Sequence, residues 1–144
     1  MNANAPDVKE LLPRQTVLIV DDTPQNITVL GELLHPHYAV RAANSGERAL
    51  RAAHSDPRPD IILLDVMMPG MDGPQTLLQL RELVDIQQVP VAFMTAKVQP
   101  AEIEHYLSLG ARDVITKPFD PMQLANQVQK IWACCQDTAP AKNP

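Results

Sequence analysis

The amino-acid sequence predicts an α/β fold of five βα units built on a parallel sheet. Three observations carry this expectation. Five apolar or β-branched runs are too short to be helices, and the segments between them repeat their apolar residues at helical spacing. The third run is continuously apolar instead of alternating, as in a parallel strand covered on both faces. Strands that alternate with helices imply right-handed crossovers, which lay helices against both faces of one sheet.

The first strand is expected over Thr16 to Val20 (TVLIV), followed by a helix whose stripe is Ile27, Leu30 and Leu34. The second is Tyr38 to Val40, and Ser45 before GERALRAA reads as the N-cap of the next helix. The third strand is Asp60 to Leu64. Gly70 and Gly73 suit the turn after it, ahead of a helix starting near Pro74 with Leu77, Leu80 and Val84 along its buried side. The fourth is Val89 to Met94; its helix carries Ile103, Tyr106 and Leu107 and ends at Gly110 as C-cap. The fifth is Asp113 to Thr116, and Leu124, Val128, Ile131 and Cys135 line the last helix.

The 144 residues suit one domain, and 45% hydrophobic content is enough for a core. Residues 1–14 read as a flexible lead-in, 15–135 as the folded domain, and 136–144 as a flexible tail or the start of a linker. A net charge of -5 argues against direct contact with nucleic acid, which requires clustered Lys and Arg. No apolar run approaches the ~20 residues of a membrane span, and the N-terminus has no signal-peptide core, so a cytoplasmic location without membrane contact is expected. Cys134 and Cys135 are adjacent, without metal-ligand spacing, and read as reduced cysteines of the last helix. His35, His37, His54 and His105 likewise show no metal spacing and read as surface or turn residues. Met67, Met68 and Met71 read as loop and core packing. The five glycines form no nucleotide-cradling loop.

The polar residues directly after the strands carry the chemistry. Asp21 and Asp22 follow the first, Asp65 the third, Thr95 the fourth and Lys117 the fifth. In a parallel sheet all of these lie along the carboxyl edge, where open α/β folds bind ligands. Three convergent carboxylates repel one another, and a hard divalent cation relieves the repulsion. Mg²⁺ favours one or two carboxylates with waters and phosphate oxygens. With a lysine and a hydroxyl added, the set describes a phosphoryl-transfer site, where catalysis is mostly positioning and charge neutralisation. Asp65, ending the central strand, is the natural nucleophile. A lone Asp at a strand end is most often a turn former or a cap, and a lone Lys before Pro a loop residue. Chance does not readily set acid, hydroxyl and base at four strand ends at once.

VLIVDD (Val17 to Asp22), LLDVMMPGMDG (Leu63 to Gly73), MTA (Met94 to Ala96) and GARDVITKPF (Gly110 to Phe119) occur in an order and spacing that resembles the receiver domain of response regulators. The resemblance runs from about Thr16 to Trp132. It implies a doubly wound, flavodoxin-like fold with strand order 2-1-3-4-5. It further implies a two-component phosphoprotein, in which a histidine kinase or phosphotransfer protein of a phosphorelay passes a phosphoryl group to Asp65. By the same resemblance Asp22, Asp65 and the backbone carbonyl of Met67 bind Mg²⁺, with Asp21 helping through water. Thr95 and Lys117 hold the phosphoryl oxygens, and small Ala96 leaves access to them. The Lys117–Pro118 peptide is expected to be cis, and a homodimer through the fourth and fifth helices is possible. Such a chain is no enzyme with a separate substrate; it catalyses only its own phosphorylation and dephosphorylation. No output domain follows in this sequence, so it reads as a single-domain regulator or a fragment of a longer protein.

One departure stands out. Many receivers carry an aromatic three residues before the lysine, where this chain has Val114, so a rotating aromatic at that position cannot be carried over. Met67 and Lys97, two residues beyond Asp65 and Thr95, flank the route of attacking water. Met67 is expected to shield an acyl phosphate and slow its hydrolysis relative to a polar residue. Two other readings compete. A hydrolase with an aspartyl-phosphate intermediate needs a second acid two residues after the nucleophile, where Met67 stands. A non-phosphorylated binding module would have lost an acid, the threonine or the lysine, and all are present.

Overall fold

A computed structural model describes the backbone of residues 15–141 and the side chains of residues 15–84 and 86–131. Five strands alternate with five helices: β1 (Thr16–Val20), α1 (Pro24–Leu34), β2 (Ala39–Ala43), α2 (Gly46–Ala53), β3 (Ile61–Asp65), α3 (Gly73–Leu80), β4 (Val91–Thr95), α4 (Pro100–Ser108), β5 (Asp113–Thr116) and α5 (Pro121–Ala141). All the strand pairs are parallel and the sheet order is β2-β1-β3-β4-β5, the doubly wound order expected above.

Alternate residues of one strand serve opposite faces. Val17 and Ile19 of β1 pack with Leu30 and Leu34 of α1 and Leu124, Val128 and Ile131 of α5. Leu18 and Val20 face the other way, into a cluster with Ala49 and Ala53 of α2, Leu77 and Leu80 of α3 and Tyr106 of α4. Every residue of β1, β3 and β4 is buried, which explains their unbroken apolar runs. The edge strand β2 is only partly covered, and a four-residue β5 closes the other edge.

Local chemistry sets the boundaries. Ser45 accepts a hydrogen bond from the Arg48 N–H and caps α2 as expected. Asp72 and Gln75 form a reciprocal capping box at the start of α3. Gly110 follows α4 at φ 111°, a conformation that costs glycine little.

Several boundaries differ from the sequence expectation. β2 runs Ala39–Ala43, not Tyr38 to Val40, because its ladder with β1 continues to Val20↔Ala43, with the polar Arg41 side chain turned aside to bond the carbonyls of Ala52, Ser55 and Pro57. β4 starts at Val91, since Pro90 has no N–H to donate to the ladder. α3 stops at Leu80. Val84, placed on its stripe, is instead 81% exposed in a 3₁₀ turn (Val84–Ile86), and Ile86 fills the core there. Leu107 is also on the exposed side, leaving Tyr106 as the buried anchor of α4. α5 continues past residue 135 to Ala141. The lead-in over 1–14 and residues 142–144 lie outside the described residues, as do the side chains of Cys134 and Cys135.

Candidate functional site

The chain leaves β1 at Val20 and bends at once toward α1. The Asp21 N–H still donates to the Ala43 carbonyl of β2, at 3.1 Å, while its carboxylate turns under the start of the helix. Asp21 is fully buried and every donor around it counts. Its Oδ1 accepts from the Thr23 N–H (2.9 Å). Its Oδ2 accepts from the Asn26 side-chain amide (3.1 Å) and the Lys117 ammonium (3.2 Å). Asp22, next in the chain, is exposed.

Asp65 ends β3 and is 3% exposed. Its Oδ1 accepts from Lys117 Nζ at 2.9 Å and from the Met67 N–H at 3.3 Å. Gly73 explains how α3 can begin directly against this residue. A Cβ there would lie 2.5 Å from the Asp65 carbonyl oxygen and 2.8 Å from the Val66 Cα, so any larger residue would push the helix off the site. The Gly73 N–H bonds the Val66 carbonyl at 2.9 Å and ties the loop shut.

Thr95 closes β4, buried, and its hydroxyl oxygen accepts from the Lys97 N–H at 3.0 Å, which leaves the hydroxyl proton to donate elsewhere. Ala96 beside it is exposed. Lys117 is placed by its own backbone: its N–H bonds the Thr95 carbonyl at 2.9 Å, and the peptide to Pro118 is cis, as expected. From there its side chain spans to both buried acids.

One carboxylate oxygen each from Asp21, Asp22 and Asp65 lies within 4.8 Å of the other two, a separation that a single cation can bridge. All three donors are hard oxygens, the set that suits Mg²⁺ or Ca²⁺ and not a thiophilic metal. Burial pushes the Asp65 carboxyl above the usual carboxylate range. The Lys117 bond and the Met67 N–H pull it back and the Asp21 charge raises it further, with a net upward shift. Burial alone would lower the Lys117 ammonium, but Asp65 and Asp21 outweigh it and hold it above the ordinary lysine value. The pair is therefore an ion pair that desolvation strains on the acid side.

The structure thus brings together Asp21, Asp22, Asp65 and Lys117, with Thr95 on the adjoining strand end. Met67 lies in the loop after Asp65 with its side chain 64% exposed. Val114, at the position where many receivers carry an aromatic, is buried in the same cluster as Phe93 and Tyr106, and these two rings pack edge-on at 5.3 Å. None of the four histidines joins the site. Sequence reasoning missed Asn26, whose one signal is its place five residues after Asp21, in the first turn of α1.

The sequence matches the family described as response regulator receiver domain over residues 17–129. A probable cyclic di-GMP phosphodiesterase of Vibrio cholerae is 36% identical over 119 residues, covering 83% of this chain but 27% of that protein. This chain therefore spans about a quarter of that relative's length. Protein PilH of Pseudomonas aeruginosa is 34% identical and is matched over 97% of its length, 81% of this chain. Among solved structures, the receiver domain of the sensor histidine kinase PA1611 from Pseudomonas aeruginosa superposes with a TM-score of 0.75 at 30% identity. The superposition covers 83% of this chain and 98% of that one, and that structure holds a magnesium ion coordinated in its active-site cleft. The family match over residues 17–129, the likeness to PilH along nearly its whole length and the sheet order agree, and the chain belongs to the response regulator receiver domains.

Proposed function

We propose that Asp65 is the phosphoacceptor of a Mg²⁺-dependent phosphorylation switch. The observation that carries this reading is the contact of the Lys117 ammonium with the buried Asp65 carboxylate, inside a three-acid cluster sized for one cation. The donor is a phosphohistidine of a histidine kinase or phosphotransfer protein. A carboxylate oxygen of Asp65 attacks phosphorus, the P–N bond breaks, and its electron pair leaves with the imidazole, which takes its proton from solvent. Asp22, Asp65 and the Met67 carbonyl would hold Mg²⁺, and Asp21 would stand behind them. When bound, the cation supplies positive charge against the phosphoryl oxygens and the crowded acids. Lys117 turns from Asp65 to a phosphoryl oxygen, and the Thr95 hydroxyl donates to another. Ala96 leaves room for the incoming group. Met67 stands over the loop and limits the approach of water to the acyl phosphate.

The added charge shifts the balance between two packings of the α4–β5–α5 region. With Val114 in place of an aromatic, the shift is carried by the backbone and by the packing around Tyr106. The same region is the face proposed for a second copy of the chain, and no membrane or nucleic acid takes part.

The test is incubation with Mg²⁺ and acetyl phosphate, followed by intact mass and sedimentation, on the wild type and Asp65→Asn. The expected result is a Mg²⁺-dependent, hydroxylamine-labile gain of one phosphoryl group in the wild type alone, with a rise in sedimenting mass. A gain that persists in Asp65→Asn refutes the assignment of the acceptor. Labelling without any change in mass distribution removes the homodimer from the proposal.

A further inference from the structure

We infer that Asn26 is a positioning residue of the cation site, holding the buried Asp21 carboxylate in place for the metal without cancelling its charge. The inference rests on the cation reading above. Asp21 is fully buried and its two oxygens have three donors: the Thr23 N–H on Oδ1, and the Asn26 amide and Lys117 ammonium sharing Oδ2. An ionised carboxylate can only accept, so the Asn26 side chain must present its nitrogen to it.

This amide is not spent on the helix. The N-cap of α1 is Thr23, which makes no side-chain capping bond, and the Asn26 N–H already bonds the Thr23 carbonyl at 3.1 Å. Asparagine has a low helix propensity, because its side chain competes for backbone groups. Here it reaches back across the first turn to the end of β1 instead.

Two physical consequences follow from a neutral donor at this position. A second cationic side chain beside Lys117 would offset the Asp21 charge further and weaken cation binding, whereas an amide fixes the carboxylate's direction and adds no positive charge. Asn26 also keeps Asp21 paired when Lys117 leaves it. A buried carboxylate stripped of its partners is strongly destabilised, so Lys117 can turn to a phosphoryl oxygen only if other donors remain on Asp21. The Thr23 N–H and the Asn26 amide are those donors.

The experiment is calorimetric titration of MgCl₂ into the wild type, Asn26→Ala, Asp21→Asn and the double variant, with urea midpoints of each in Mg²⁺-free buffer. Loss of an outer-shell partner of a metal ligand commonly weakens affinity by 10–100-fold, and Asn26→Ala is expected near the lower end, about tenfold. Its Mg²⁺-free midpoint should stay close to wild type, because Lys117 still pairs Asp21. In the double variant Asn26→Ala should add nothing to the loss caused by Asp21→Asn. A Kd within twofold of wild type overturns the inference, as do additive losses in the double variant. An Asn26→Ala protein that is unfolded without Mg²⁺ shows a purely structural tether and also overturns it. A wild type that gives no Mg²⁺ binding refutes the cation reading itself, a result distinct from all of these.

Discussion

Asp65 has little water around it and another acid beside it, so its ionised form is held at a cost in folding free energy. Its carboxyl is raised above the ordinary range by burial and by Asp21, with Lys117 and the Met67 N–H offsetting only part of this. Between the ordinary carboxylate pKa of about 3.9 and the higher folded value, the folded chain keeps a proton that the unfolded chain has lost. Stability falls across that window and stays reduced above it. Asp65→Asn removes this cost while leaving Lys117 its bond to Asp21. In Mg²⁺-free buffer at pH 7 the variant should be more stable, by roughly the 0.5–2 kcal/mol common for a single stabilising substitution. The gain should vanish as pH falls to about 4. Urea unfolding across a pH series measures this; a variant less stable at pH 7, or a gain independent of pH, contradicts it. Lys117 runs the other way: its raised pKa contributes stability at neutral pH that is lost as pH climbs through the folded lysine value. At this scale the sequence was informative for Asp21, Asp22, Asp65, Thr95 and Lys117, because each stands at or just past the carboxyl end of a strand, where a parallel sheet gathers them. Asn26 was not legible, since it lies within a helix and reaches the site only because the chain bends sharply at Asp21.

The two ends of the sheet are built differently. At the carboxyl edge the loops carry charge and reactive groups. At the opposite edge, two arginines close the helix-to-strand returns by donating to backbone carbonyls. Arg41 Nη1 bonds the carbonyls of Ala52, Ser55 and Pro57 at 2.7–3.0 Å, fixing the passage from α2 to β3. Arg81 Nη1 bonds those of Ile86, Gln87 and Val89 at 2.8–3.4 Å, fixing the passage from α3 to β4. Burial, with Arg112 nearby, lowers the Arg81 pKa, yet guanidinium stays charged and its planar fork can serve several carbonyls at once. Arg81→Ala leaves these carbonyls to find water and is expected to cost about 1–3 kcal/mol in urea unfolding, with Arg81→Lys recovering little. A loss near zero would show that the loop holds without it. Val84 sits inside this bonded loop. Hydrophobic spacing alone extends α3 to residue 84, but the helix ends at Leu80, the Arg81 guanidinium bonds the carbonyls of the loop that follows, and Ile86 takes the core position. Periodicity registers which residues are apolar, not which carbonyl a distant guanidinium will claim.

For the whole molecule, the alternation of runs and stripes was enough for the parallel sheet with helices on both faces. Strand order was not contained in that alternation, which fits several doubly wound arrangements; it came from the family motifs and is realised in the ladder β2-β1-β3-β4-β5. The order matters because it sets β1 beside β3, which brings Asp21 and Asp22 next to Asp65. Three acids so gathered in a chain of net charge -5 make the folded state carry a local repulsion that the unfolded chain escapes. A cation bound there should therefore stabilise the entire domain. With one site and no affinity for the unfolded chain, Mg²⁺ at ten times its Kd adds roughly 1.4 kcal/mol, a rise of roughly 3–8 °C in Tm for a domain of this size. The rise should follow a saturation curve in MgCl₂, fail to appear with NaCl at matched ionic strength, and be lost in Asp22→Ala. Asp22 is exposed, so its removal leaves the core and the Lys117 contacts intact and isolates the effect of the cation. An equal rise in NaCl would reduce the effect to screening of net charge. An undiminished rise in Asp22→Ala would place the cation elsewhere on the molecule.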